Sequence, residues 1–259
     1  MSTVIAFMPM NLRLYDREER DLRTYVSPLF DCAQAPDDVR GVNAHIVADN
    51  GGGKSTLLLF FELLFCKPSR QHPRVGDKRV IDYLRRAAED LHDPTPTTMA
   101  VLVRRDEAGL MRRARDTIFG YTVALRGDGS SLDLRRFVIP LAECPGFTLE
   151  QLARDYVYDA NGAPLASRVV RERLAGFSAC HLYDSSEWDG YVQRMAEAGI
   201  SSILWRELAR MNAGEEAAES YFRTKDAFRN IVGLIQEAQQ PTSGERAKAL
   251  PEVVSDVAR

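Results

Sequence analysis

Alternating apolar and polar positions predict several short β-strands in the first part of the chain. Val4 to Met10 is apolar and is followed by the charged stretch 16–21, so we expect an edge strand that leads into an exposed turn. A second strand is expected at Tyr25 to Phe30. Val42 to Ala48 alternates and runs into a glycine cluster, the pattern of a buried strand that enters a tight turn.

Three further strands are predicted close together, at Thr98 to Arg104, Phe119 to Arg126 and Asp133 to Ile139. The last two are joined by Gly127 to Ser130, a turn of the hairpin kind. Neighbouring strands in succession pair antiparallel, so we expect an antiparallel layer beside a parallel one. The predicted fold class is α/β with a mixed sheet.

Apolar residues that recur every three or four positions predict the helices. These are Ser55 to Cys66, Val80 to Leu91, Thr148 to Tyr156, Ala166 to Leu174, Ser201 to Met211 and Tyr221 to Gln240. We expect a lobe at 1–145, a helical region at 146–240 and a polar tail at 241–259. The last helix is interpreted either as the root of a coiled coil or as a docked helix, and the tail as flexible or as a truncation point.

The composition is that of a folded globular protein. Of 259 residues, 45% are hydrophobic and 27% are charged, and the net charge of -3 predicts no bulk attraction to nucleic acid or to an anionic membrane. The longest apolar run, Leu57 to Cys66, is too short to span a bilayer, so no membrane partner is expected. The N-terminal stretch lacks a secretory pattern and the four cysteines form no CxxC pair, so we expect a cytoplasmic protein with reduced thiols.

The sharpest chemical signal lies at Ala48 to Thr56, which reads ADNGGGKST. This stretch satisfies the phosphate-loop pattern G-x-x-x-x-G-K-S/T except at its first position, where Ala48 replaces glycine. Glycines let backbone N–H groups converge on phosphate oxygens. Lys54 supplies a point charge to the β- and γ-phosphates, and the Ser55 hydroxyl joins the Mg²⁺ shell. The strand before the loop and the helix after it direct a helix N-terminus at the phosphate.

The same stretch resembles the G-x-N-G-x-G-K-S-T loop of ABC-type ATPases of the SMC, RecF, RecN and MukB group, where the internal Asn-Gly pair is characteristic. The resemblance implies a P-loop NTPase fold of the ABC head type, with ATP and Mg²⁺ as ligands. It further implies a second head as partner, accessory subunits, and action on DNA in chromosome organisation, repair or defence against foreign DNA. The predicted nucleotide-binding residues are Asn50, Gly51, Gly52, Gly53, Lys54, Ser55 and Thr56, with Ser55 as metal ligand.

Two other motifs of that group are not found in the chain: a signature loop resembling L-S-G-G-Q and an apolar Walker B segment that ends in Asp-Glu. Leu102 to Glu107 ends in Asp-Glu but contains two arginines, so a hairpin turn is the better interpretation. Ala179 to Asp184 is a weak candidate for Walker B, and Thr242 to Arg246 is an incomplete signature loop. The resemblance places both motifs in a C-terminal half, so we expect an N-terminal half-head that binds ATP and hydrolyses almost none alone. Catalytic residues are left unassigned.

The resemblance also suggests weaker candidates. A glutamine that contacts Mg²⁺ would be Gln151 or Gln193, although a surface glutamine is the better interpretation of each. Candidates for nucleotide contacts are Arg70, Arg74 and Arg79, although a solvated basic loop is the better interpretation of these three. Arg13 and Tyr15, on the early strand, are further candidates.

A DNA-facing surface would use basic groups on the predicted strands, at Arg104–Arg105, Arg112–Arg115 and Arg135–Arg136. Exposed strands with alternating charges would give the same pattern. Asp184 and Glu187, next to Trp188, are interpreted as a capped helix start rather than a catalytic pair.

Two alternative functions stay open at the level of sequence. The first is a self-contained P-loop nucleotide kinase or NTPase, with an acceptor site formed after Gly76. The second is a degenerate nucleotide-binding module that controls assembly with a partner without turnover.

Overall fold

The computed structural model describes residues 2–16, 21–24, 28–33, 54–67, 77–87, 94–106, 114–127 and 129–211. The chain divides into two compact units, Met1–Arg210 and Met211–Arg259, and nearly all of the described residues belong to the first. The finer boundary that we expect at residue 145 remains a prediction. The expected tail at 241–259 lies outside the described residues.

The main sheet has six strands, and every neighbouring pair is antiparallel. In spatial order the strands are β4 (Phe30–Asp31), β1 (Ser2–Met10), β5 (Thr97–Asp106), β6 (Ala114–Leu125), β7 (Leu132–Pro140) and β8 (His181–Tyr183). A separate two-stranded sheet pairs β2 (Arg13–Asp16) with β3 (Asp21–Thr24). The described residues therefore form an α/β fold around an antiparallel sheet, whereas P-loop folds usually contain parallel strands.

Helices cover both faces of the main sheet. In the described part of the chain they are α1 (Lys54–Glu62), α2 (Asp77–Ala87), α3 (Leu149–Leu152), α4 (Ser167–Gly176), α5 (Trp188–Glu197) and α6 (Ser202–Met211). A π-helical turn, Ala153–Val157, continues α3, and a 3-10 turn, Ser185–Glu187, precedes α5.

Strand alternation separates two buried clusters. On β6, Phe119 and Tyr121 belong to one cluster, and the neighbouring position Ile118 belongs to the other. The first cluster contains residues of α1, α2 and α5, and we call this side of the sheet the α1 face. The second contains residues of α3, the π-helical turn and α4, and we call this side the α4 face.

Gly120, at the centre of β6, allows a phenyl ring to lie across the strand. Its partner on β7 is Phe137, and a Cβ built at Gly120 would lie 2.1 Å from Cζ of that ring and 2.9 Å from the carbonyl oxygen of Met99. A side chain at this position would collide with both, so the glycine is required by close packing rather than by a turn.

The expected antiparallel layer is confirmed, because β5, β6 and β7 form a meander at the predicted positions. The expected edge position of the first strand is wrong. Ala6 of β1 pairs with Asp31 of β4 on one side, while β5 occupies the other side. The short strand β8 was not predicted, and helix α5 was predicted only through its capped start at Asp184 and Glu187. The expected strand at Val42 to Ala48 and helix at Tyr221 to Gln240 lie outside the described residues.

Within the described ranges, no helix has both the length and the apolar character needed to cross a lipid bilayer.

Candidate functional site

The candidate site begins at the N-terminus of α1. The helix starts at Lys54, so the predicted helix after the glycine run is confirmed. Ser55 is exposed in the first turn and Thr56 is half-buried. The remaining predicted loop residues, Asn50 to Gly53, lie outside the described residues. The first N–H groups of a helix lack intrahelical partners and carry a partial positive charge, so this end suits an anion.

The opposite end of α1 is embedded in the α1 face. Phe60 and the residues from Leu63 to Cys66 are buried. Phe60 packs edge-on against Tyr83 of α2 with ring centroids 4.7 Å apart, and Phe61 packs edge-on against Phe7 of β1 at 5.2 Å. The helix is therefore anchored at its C-terminal end while its N-terminal turn meets solvent at Ser55.

Side chains from the sheet satisfy the carbonyl groups at this buried end. The hydroxyl of Tyr121 donates to the carbonyl oxygen of Phe60 over 2.6 Å. The Nη2 atom of Arg136 donates to the carbonyl oxygens of Leu63 at 3.3 Å and Cys66 at 3.0 Å. Phe60 lies in the last turn of α1, where helix carbonyls lack intrahelical donors, whereas Leu63 and Cys66 lie in the turn that follows the helix. Tyr121 therefore bonds to the helix end itself, and Arg136 bonds to the turn beyond it, in a site closed to water.

Arg136 is 2% exposed, and aromatic rings enclose its guanidinium group. The guanidinium carbon lies 4.4 Å from the ring centroid of Trp188 and 5.6 Å from that of Tyr191. Burial lowers the pKa of Arg136 below its ordinary value. A buried cation next to a helix C-terminus is stabilised by the negative end of the helix dipole.

The burial of Arg136 corrects the expectation that Arg135–Arg136 lies on a DNA-facing surface. Parity alone did not single out Arg136, because both faces of β7 are buried, with Val138 in one cluster and Phe137 in the other. An arginine at an inward position of a strand needs acceptors inside the protein. The carbonyl groups of the turn that follows α1 supply them.

Other arginines expected on that surface make contacts within the fold. Arg104 forms a two-point pair with Asp116, its partner across β5 and β6, through Nε to Oδ1 at 2.8 Å and Nη2 to Oδ2 at 2.7 Å. Arg105 donates to the carbonyl oxygen of Glu197. Arg135 pairs with Asp133 at 3.2 Å and also with Asp184. Arg112 and Arg113 lie outside the described residues, and Arg115 is exposed.

The hairpin of β2 and β3 is attached to the same face through α2. The backbone N–H of Arg13 donates to the hydroxyl of Tyr83 over 2.7 Å, and that hydroxyl donates to the carbonyl oxygen of Arg13. Burial raises the pKa of Tyr83 well above its ordinary value. Because Tyr83 also packs on Phe60, one side chain links the start of the hairpin to α1. The side chain of Tyr15, the other candidate on β2, is outside the described residues.

The glutamine candidates have surface roles. Gln151 closes a capping box with Thr148 at the start of α3. Gln193 is exposed and donates to Glu197 over 3.2 Å. The interpretation as surface glutamines therefore fits both.

The carboxylate candidates are also explained by local structure. Asp184 and Glu187 form a capping box, with the backbone N–H of Asp184 donating to Glu187 over 2.8 Å, so the predicted capped start is confirmed. Asp106 is the last residue of β5 and pairs with Ala114 of β6, as the hairpin interpretation requires. Of the arginine candidates after α1, Arg79 is exposed on α2, and Arg70 and Arg74 lie outside the described residues.

The described residues contain no group of three or more His, Cys, Asp and Glu side chains placed to hold a metal ion. Comparison of the chain with family models, with curated proteins and with solved structures finds no match.

Proposed function

We propose that this chain is the ATP-binding half of an SMC-like or MukB-like ATPase head that acts on DNA. The observation that carries the proposal is the position of Lys54, which stands directly after three glycines and opens a helix anchored at its far end. The antiparallel sheet is also compatible with such a lobe. In the proposal the expected strand Val42 to Ala48 adds the parallel part, completing a P-loop fold of the ABC head type.

The residues of the loop and of the first turn bind the phosphates in this proposal. Backbone N–H groups at 51–54 donate to phosphate oxygens, and Lys54 places its charge beside the β- and γ-phosphates. Ser55 suits Mg²⁺ because this ion prefers oxygen ligands and the residue is exposed at the helix start. Bound Mg²⁺ would neutralise phosphate charge.

Hydrolysis in this proposal requires groups from a C-terminal half. The carboxylate of Asp184 is used in a capping box, so it is not proposed as the Walker B carboxylate. Asp106 follows two arginines rather than an apolar run, so it is not proposed either. The chain alone is therefore expected to bind ATP and to turn it over very slowly, since metal-positioning and water-positioning groups are missing.

The proposal includes a second head, DNA and accessory subunits as partners, and a cytoplasmic location. The arginines at 104, 105 and 135 make contacts within the fold, and Arg136 is buried. We therefore propose that DNA contacts form on the assembled heads and not through these four side chains.

The test is MgATP binding by the 259-residue chain, measured with a fluorescent ATP analogue. Lys54→Ala should weaken binding by roughly 10- to 100-fold, because a charge-assisted contact to phosphate is lost. Lys67→Ala is the matched control, since Lys67 is an exposed lysine just beyond the other end of α1. It should leave the affinity unchanged.

Absence of MgATP binding, or equal binding by wild type and Lys54→Ala, would refute the proposal. Rapid hydrolysis by the chain alone that depends on Lys54 would favour the self-contained kinase or NTPase. Nucleotide-dependent association that never leads to turnover, even with the C-terminal half added, would favour the degenerate assembly module.

A further inference from the structure

We propose that Arg136 is a positioning residue for the phosphate-binding helix. Through two carbonyl groups of the turn that directly follows α1, it sets the depth at which Lys54 and Ser55 are presented to a nucleotide. This inference rests on the proposed function.

The shortness of α1 couples its two ends mechanically. A helix of nine residues rises about 14 Å. A hydrogen-bonded helix this short moves as a rigid rod. The turn at 63–66 is bonded to its last residues, because the N–H of Leu63 donates to the carbonyl oxygen of Leu59 at 3.3 Å and the N–H of Cys66 to that of Glu62 at 2.9 Å. A shift of this turn along the helix axis is therefore passed on to Lys54. The contacts that fix the buried end therefore also fix the height of the first turn.

Different contacts restrain α1 sideways and along its axis. The aromatic contacts of Phe60 and Phe61 restrain α1 sideways, but apolar packing tolerates small sliding movements. Hydrogen bonds to terminal carbonyls are directional and weaken steeply with distance and angle. Tyr121 provides one such bond and Arg136 provides two, to Leu63 and to Cys66.

The side chain of Arg136 is itself held in place by α5. Its guanidinium lies against the rings of Trp188 and Tyr191, which belong to α5. The planar group can stack and donate at the same time, which a lysine ammonium cannot do. β7 and α5 thus form a fixed support, and Arg136 connects that support to α1.

Two substitutions separate positioning from simple core filling. Arg136→Met keeps an unbranched apolar side chain but leaves the two carbonyls without their donor, whereas Arg136→Lys keeps a charged donor and loses the planar stack. If Arg136 only fills space in the core, methionine at this position should preserve nucleotide affinity better than lysine. If it positions α1 through the carbonyls, lysine should preserve nucleotide affinity better than methionine.

The experiment measures the Kd of the fluorescent ATP analogue with Mg²⁺ under conditions where circular dichroism shows each variant folded. Arg136→Met should raise the Kd about tenfold, the equivalent of one strong hydrogen bond, and Arg136→Lys should raise it less. Arg173→Met is the matched control. Arg173 donates to the carbonyl oxygens of Asp155 at 3.0 Å and Tyr158 at 3.4 Å on the α4 face, far along the chain from α1. Its loss should leave the Kd unchanged.

A second control shows whether lower stability of the fold is by itself enough to raise the Kd. Leu174→Ala opens a cavity in the buried cluster of the α4 face and destabilises the fold without touching α1. An unchanged Kd in Arg136→Met, or a Kd raised equally by Leu174→Ala, would overturn the inference. So would methionine preserving affinity better than lysine.

Amide hydrogen exchange, measured without nucleotide, tests the role of Arg136 independently of the proposed function. In Arg136→Met, the amides of α1 should exchange at least about tenfold faster, beyond any change in Leu174→Ala. If wild type binds no nucleotide but α1 loosens in this way, the proposed function fails while the support of α1 by Arg136 stands. If α1 exchanges as in wild type, the positioning role fails, even when Lys54-dependent binding is present.

Discussion

The two faces of the sheet use arginine in opposite ways. On the α1 face, Arg136 is buried between aromatic rings and donates to the end of α1. On the α4 face, Arg173 donates to the end of the π-helical turn from an exposed position. Water can replace Arg173 but cannot reach the partners of Arg136. Equivalent hydrogen bonds therefore restrain the backbone differently, according to whether solvent competes for them.

The other buried side chains of the two faces also differ. Tyrosine rings pack on the α1 face, among them those of Tyr83 and Tyr121, whose hydroxyls bond to the backbone. The fully buried residues of the α4 face are mostly aliphatic, among them Leu174, but the rings of Phe147 and Phe177 pack against them. A tyrosine of this face also bonds to the backbone, since the hydroxyl of Tyr158 accepts from the N–H of Asn11. The clearest difference is the buried arginine, which among the described residues only the α1 face contains.

The largest effect expected from this contrast is on global stability. Arg136→Met should lower the free energy of unfolding by about 3 kcal/mol, because two buried carbonyls lose their donor. Arg173→Met should lower it by less than about 1 kcal/mol, because water replaces the donor. Urea denaturation of the two variants measures both values. Similar losses would remove the distinction between the faces.

The next effect tests the packing of the α4 face. Gly120→Ala should lower the free energy of unfolding by about 1–3 kcal/mol, because the new methyl group meets the ring of Phe137. Gly127→Ala is the matched control, since a Cβ built at Gly127 would meet no atom of the described residues within 4 Å beyond its chain neighbours. Adding Phe137→Leu to Gly120→Ala should recover part of the loss, because the shorter side chain vacates the space. No recovery would show that the backbone of Met99 is the obstacle.

The smallest expected effect is on the stability of the fold at alkaline pH. Burial raises the pKa of Tyr191, Tyr121 and Tyr83 above the ordinary value near 10. Above that pH the folded state keeps protons that the unfolded state has released, so stability is fully present below about pH 9 and falls as pH rises through about 10. Each tyrosine adds a slope of about 1.4 kcal/mol per pH unit.

Tyr191→Phe isolates one of these contributions. The hydroxyl of Tyr191 has no hydrogen-bond partner among the described residues, so the substitution should change little at neutral pH. Between about pH 10 and 11 the variant should lose stability less steeply than wild type, by about 1.4 kcal/mol per pH unit. Thermal unfolding followed across this range measures the difference. An identical slope would show that the tyrosines of the α1 face do not control alkaline unfolding.

Much of the candidate site could be predicted from the sequence because its signals are local. A glycine run followed by Lys-Ser-Thr specifies a turn and a helix start within a few residues, and α1 begins at Lys54 as expected. Asp184 and Glu187 have capping-box spacing, and the capping box forms. The meander of β5, β6 and β7 follows from three alternating stretches and a turn between the last two.

The rest depended on contacts between distant segments. β8 has only three residues, which is too short for an alternating pattern of apolar and polar positions to be recognised. It is a strand because it pairs with β7. The position of β1 inside the sheet was set by β4, a strand of two residues. The role of Arg136 required α1, β7 and α5 to meet.

Elements whose information lies within one helical turn, one hairpin or one cap could thus be predicted from the order of the residues alone. Strand order, the burial of Arg136 but not of Arg135, and the support beneath α1 depend on how distant segments pack together. The physical reason is that local backbone preferences act over a few residues, whereas the partners of a buried polar group come from wherever the chain returns to the core.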